Sequence, residues 1–85
     1  MFYIIYVRFH WFPENVEHIR KHGVEPSDVE AIFRTGDVVF RQSESKGRWE
    51  AEGTVSGRLS RVAFTRPGPD EVYPITAFRI RRRRT

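Results

Sequence analysis

Residues Arg48–Arg66 read RWEAEGTVSGRLSRVAFTR. Trp49, Ala51, Gly53 and Val55 alternate with Glu50, Glu52 and Thr54. That period of two is a strand with one buried and one wet face. Ser56-Gly57 is a two-residue connection of hairpin type. The return strand puts Arg58, Ser60, Val62, Phe64 and Arg66 on one side, and Leu59, Arg61, Ala63 and Thr65 on the other.

Outward from the hairpin, Pro67-Gly-Pro-Asp70 turns into a last strand, Glu71–Ile80. Pro74 lies inside that strand and has no N–H to donate, so it predicts an exposed edge or a bulge. Upstream, Asp37–Gln42 is a strand that ends in a polar loop, Ser43–Gly47. Before it, Pro13 and Pro26 fit the first positions of two short helices. Trp11 with Val16 and Val24 with Val29 fall where hydrophobic staples sit. Phe12, Val16 and Ile19 make the core face of the first helix, and Val29, Ile32 and Phe33 that of the second. Gly23 and Gly36 are placed to end them in the left-handed conformation. Phe12 and Glu25 are poor N-caps, costing roughly 1 kcal/mol each, and Asn15 is an alternative cap that would start the first helix later. Residues 3–11 read as a strand with Val7, Phe9 and Trp11 inward and Arg8 and His10 wet. The order is β-α-α-β-β-β-β. This is an α+β fold, two short helices packed on one face of an antiparallel sheet, with an Arg-rich C-terminal tail.

The 85 residues make a single domain, 1–85, with 81–85 as a solvated basic tail. Leu, Ile, Val and Phe number 23, enough for a small core. With no cysteine, disulfides, thiolate catalysis and cysteine-ligated metal are excluded. No apolar run approaches the roughly 18 residues of a membrane span. The apolar start, Met1–Val7, lacks the flanks of a signal peptide, so the protein is expected to be cytoplasmic.

The net charge is +4, and Arg79, Arg81, Arg82, Arg83 and Arg84 account for the excess. Residues 13–37 carry six acids and three bases, and residues 38–66 carry six bases and three acids. Such asymmetry suits a polyanion on one face. Of the 15 bases, 13 are Arg, whose planar fork matches phosphate.

Other chemistry has little support. His18 and His22 share a helix face, but Ile19 stands where a zinc-type H-E-x-x-H motif needs Glu, Arg20 and Lys21 repel a cation, and no third ligand is evident. Gly53-Thr-Val-Ser-Gly57 is neither a Walker A loop nor a dinucleotide fingerprint. No metal and no cofactor are expected. Arginines on the sheet remain. Arg58 and Arg66 stand at opposite ends of one strand face, and Arg48 opens the neighbouring strand near Arg66. They can hold a phosphodiester, or form ordinary surface pairs with Glu50 and Glu52, and the residues alone leave both readings open.

Asn15-Val-Glu-His-Ile-Arg-Lys-His-Gly-Val24, then Gly57-Arg-Leu59, Val62-Ala-Phe-Thr-Arg66 and Ile75-Thr-Ala77 with the arginine cluster, resemble the BrnT family over roughly residues 9–84. The resemblance implies a RelE/ParE-like ribonuclease toxin of a bacterial type II toxin–antitoxin pair, cutting RNA without metal by attack of the ribose 2′-hydroxyl. It implies RNA and a ribbon-helix-helix antitoxin as partners, in a homodimer or a toxin–antitoxin heterotetramer. By motif position, Arg58 and Arg66 would stabilise transition-state charge and His22 would transfer protons. Arg48, Arg79, Arg81 and Arg82 would bind RNA. His22 also fits a structural role at a helix C-terminus. Two departures stand out: Phe12 where the family has an acid, and Phe78 where it has an arginine. A non-catalytic RNA-binding or antitoxin-binding module of the same fold is the alternative.

Overall fold

A computed structural model describes residues 7–80. Residues 3–6 of the first expected strand, and Arg81 and Arg82 of the expected RNA-binding set, lie outside the described residues. The elements are β1 (Arg8–Phe9), α1 (Pro13–Lys21), α2 (Pro26–Arg34), β2 (Val39–Gln42), β3 (Arg48–Val55), β4 (Arg58–Thr65) and β5 (Glu71–Arg79).

The sheet runs β1-β5-β4-β3-β2. It is mixed, which corrects the antiparallel expectation: β1 pairs with β5 in parallel, Phe9 beside Val72. Alternation reports which face a residue takes, not which strand lies beside it. Because two helices follow β1, no hairpin sets its direction. The other pairs are antiparallel, and β3 and β4 pair from Arg48↔Thr65 to Val55↔Arg58. Ser56 and Gly57 both take positive φ, at 52° and 75°, as a tight hairpin turn of the primed type requires.

Pro74 is accommodated by a bulge. The register steps from Ala63↔Thr76 to Phe64↔Pro74, leaving Ile75 unpaired. The Pro74 carbonyl accepts from Asn15 Nδ2 at 3.0 Å, on the side away from β4. Its nitrogen faces the same way, so the missing N–H removes no bond to β4.

Both helices pack on one face, α1 over β5 and α2 over β3. Ile19, Val24, Val29 and Ile32 meet Ala51, Val62, Phe64, Val72 and Ala77, all buried. Phe33 sits among Phe9, Phe64 and Phe40, with ring centroids at 5.2, 5.1 and 5.6 Å. The inward row of α1 differs from expectation. Asn15 and Ile19 are buried, whereas Phe12 is 45% exposed and lies beside Tyr73 on the other side of the sheet. Asn15 is not the cap. It stands at the third helical position and accepts the Phe12 N–H at 2.7 Å, and Asp28 does the same for Glu25 at 2.9 Å. Each helix thus compensates a poor N-cap with a side chain reaching back.

Gly23 ends α1 as expected, with φ 76° and bonds Gly23 N–H to Arg20 O and Val24 N–H to Ile19 O. Gly36 does not end α2 this way. Thr35 turns extended at the C-cap and its hydroxyl takes the Ile32 carbonyl at 2.9 Å, so no left-handed residue is needed.

Asp37, in the turn before β2, lies against Thr35 and Thr54. Hydrogen bonds from the Thr35 hydroxyl (whose single proton also reaches Ile32 O) and from Thr54 hold its carboxyl below the usual pKa. A lowered folded-state pKa stabilises the protein above the unfolded value, and the contribution is lost as pH falls through that range. Asp37→Asn therefore lowers the Tm slightly at neutral pH. The wild-type and variant Tm curves should converge as pH drops below about 4. A constant offset down to about pH 2 would refute this.

Candidate active site

The structure divides the arginine and histidine candidates between two ends of the sheet. Arg58 and Arg66 bracket the length of β4, about 25 Å apart at the rise of a strand, so one phosphate cannot touch both. At the hairpin end stands Arg58, exposed, two residues from Ser60, which pairs with Arg79. The Arg79 Nη2 donates to Gly23 O at 3.2 Å and lies 3.7 Å from Asp28, so it clamps β5 to the turn between the helices. His22 precedes that turn and is exposed, its ring 5.4 Å from that of His18. As the C-cap of α1 it meets the negative end of the helix dipole. His22, Arg58 and Arg79 thus gather at one end and Arg48 and Arg66 at the other.

Arg48 and Arg66 share an end but not a face. Arg48 pairs with Thr65, one residue short of Arg66, and alternation sends the two side chains to opposite sides. Arg66 borders an apolar groove of about 350 Å³ on the helix side, with Val7, Phe33, Phe40, Trp49 and Phe64, and donates to Pro69 O at 2.7 Å. Of the two acids expected to pair, Glu52 does so with other arginines: Arg61 and Arg41 reach it at 3.0 and 3.7 Å. Arg61 also lies over the Phe78 ring, 5.9 Å from its centroid.

The face away from the helices carries a cluster that sequence reasoning missed. His10 Nε2 lies 2.7 Å from Glu71 Oε1, and Arg8 approaches the same oxygen at 3.9 Å. Phe12 stacks beside His10 with ring centroids at 6.5 Å and an interplanar angle of 13°, and lies 6.0 Å from Tyr73. Tyr73 pairs with Thr65, and Thr65 with Arg48, so the row continues across the sheet to an exposed cation. In the sequence His10 is legible only as one of two wet residues, with Arg8, of the first expected strand. Its partner is 61 positions away and is brought to it by the parallel β1–β5 pairing. Among the described residues, no group of three or more His, Asp or Glu side chains could hold a metal ion. None of the described helices is long and apolar enough to cross a membrane.

In structure the chain is similar to the Brucella abortus ribonuclease toxin BrnT, with a TM-score of 0.66 over 89% of this chain and 96% of that one, at 19% identity. This chain has the BrnT-like fold. No family model and no curated protein matches the sequence significantly. Three residues of the BrnT-like motif have structural roles. Asn15 ties β1, α1 and β5 together, Gly23 takes the left-handed turn, and Val24 is buried. They mark the BrnT-like fold and leave the reacting groups to be argued from geometry.

Proposed function

We propose that this chain is the toxin of a bacterial type II toxin–antitoxin pair, a cytoplasmic endoribonuclease of RelE/ParE-like type that cuts RNA without a metal. The fold shared with a ribonuclease toxin carries this reading. The sheet face away from the two helices, with exposed Arg48 and the aromatic rings of Phe12 and Tyr73, supports it. The 2′-oxygen bonds to the adjacent phosphorus, the bond to the 5′-oxygen breaks, and the products end in a 2′,3′-cyclic phosphate and a 5′-hydroxyl. Arginine stabilises the charge that builds on the phosphoryl oxygens. Arg48 takes that role on the open face. Arg58 and Arg66, too far apart to share the reacting phosphate, contact flanking phosphates, as do Arg81 and Arg82. A ribbon-helix-helix antitoxin, in a heterotetramer, neutralises the enzyme.

The test is cleavage of a defined RNA by the purified protein in EDTA, with end-group analysis. Cyclic-phosphate ends are expected. Arg48→Ala should lower kcat/KM about 100-fold. Arg58→Ala and Arg66→Ala should each act mainly on binding, reducing the slope of log K against log salt by about 0.7. Intact RNA with folded protein would leave a binding module of the same fold.

A further inference from the structure

We infer that His10, held by Glu71, is the proton-transfer group of the open sheet face, an assignment that rests on the ribonuclease reading above. Of the three histidines, His10 alone has a carboxylate partner among the described residues. An ionised carboxylate only accepts, so in the neutral imidazole the 2.7 Å contact places the hydrogen on Nε2 and leaves the lone pair on Nδ1. The imidazole is thus fixed in one tautomer by a third group, the arrangement that orients a general base. Glu71 lies against the Pro67–Asp70 turn, where a Cβ on Gly68 would collide with its Oε2. The His10 and Glu71 side chains are 34% and 23% exposed, enough for substrate to reach the ring.

The surroundings supply what the reaction otherwise requires. Phe12 and Tyr73 offer flat apolar faces on which an RNA base can stack. Arg8 lies on the His10 side of the cluster, and Arg48 on β3 stands three strand spacings from the β1 edge that carries His10, about 14 Å between backbones. In the step, His10 Nδ1 takes the 2′-hydroxyl proton as the 2′-oxygen bonds to phosphorus. The bond from phosphorus to the 5′-oxygen breaks, and the 5′-oxygen takes a proton from water. The imidazolium then returns its proton to solvent. Glu71 touches no reacting atom and is a positioning residue. The charged and polar groups facing His10 are Arg8 on its own strand and Glu71 and Tyr73 on β5.

The experiment measures steady-state cleavage of a defined RNA in EDTA from about pH 5 to about pH 9, the range in which imidazole titrates. The variants are His10→Ala, His10→Gln, Glu71→Gln and Gly68→Ala, with circular dichroism confirming the fold of each. His10→Ala should lower kcat about 100-fold or more with KM little changed, and abolish the loss of rate on the acid side. Added imidazole should restore part of the rate, a response no structural pair would show. His10→Gln, which keeps the length of a polar side chain, should match His10→Ala without rescue. Glu71→Gln and Gly68→Ala, which disturb the carboxylate and leave the ring, should lower kcat about tenfold or more and keep the acid limb. Wild-type cleavage with both His10 variants within about threefold of wild-type kcat overturns the assignment of His10 and leaves the ribonuclease reading standing. Absence of wild-type cleavage overturns that reading and this inference with it.

Discussion

Asn15→Ala should lower the Tm by about 15–20 °C, through a loss of about 3 kcal/mol. Asn15 is 4% exposed and makes three hydrogen bonds. Its Oδ1 accepts the Phe12 N–H, and its Nδ2 donates to the carbonyls of His10 and Pro74 at 2.9 and 3.0 Å. One side chain closes the α1 N-terminus and joins the end of β1 to the bulge in β5. Alanine leaves a donor and two acceptors without partners, each worth about 1–3 kcal/mol where water cannot reach. The whole domain is stable by roughly 4–13 kcal/mol at this length. Asn15→Asp retains the acceptor at Phe12 but faces two carbonyls with an anion, and should be no better tolerated than alanine. Thermal and urea unfolding of the three proteins checks this. A Tm for Asn15→Ala within about 4 °C of wild type would show that water replaces the amide at low cost.

Gly53→Ala should destabilise by about 2 kcal/mol, and Gly53→Val by more. A Cβ on Gly53 would lie 2.8 Å from Thr35 Oγ1 and 3.3 Å from Ile32 Cγ2. The last turn of α2 rests directly on β3 there. Thr35 cannot simply rotate away, because its hydroxyl satisfies the Ile32 carbonyl. The backbone entropy that alanine removes from the unfolded chain, about 0.4–1 kcal/mol, does not offset lifting the helix. Urea midpoints give the cost, and amide exchange should show α2 losing protection before α1. The double variant with Thr35→Ala should be less destabilised than the sum of the singles, since truncating Thr35 makes room for the new methyl. Strict additivity would mean that the clash is relieved elsewhere.

Several of these features were legible in residue patterns. The hairpin at Ser56-Gly57, the inward row Ala51-Gly53-Val55, the left-handed Gly23 and the inward side of α2 are local consequences of alternation, helical spacing and turn chemistry. The misreadings also have local reasons. The spacing of Phe12 to Val16 and Ile19 is helical and predicts the core face, yet Phe12 precedes the helix and its extended backbone turns the ring to the far side of the sheet. Gly36 stands where a glycine commonly ends a helix, whereas Thr35 closes α2 with its own hydroxyl.

The candidate site was less legible. The residues that carry the BrnT-like resemblance are those on which the fold depends, Asn15, Gly23 and Val24. They mark the BrnT-like fold and put weight on their neighbour His22, which lies at the end of the molecule opposite Arg48 and Arg66. Arg58 and Arg66 share a strand face, but eight positions of extended chain separate them further than any phosphate spans.

The sequence by itself determined the elements, their order and how the residues of β3 and β4 divide between the two faces of the sheet. These depend on neighbours within a few residues. The tertiary structure alone decided that β1 lies parallel to β5, that Ile75 bulges, and that His10 meets Glu71 on the uncovered face. Strand partner and register are set by side chains far apart in the chain, and a local pattern carries no record of them.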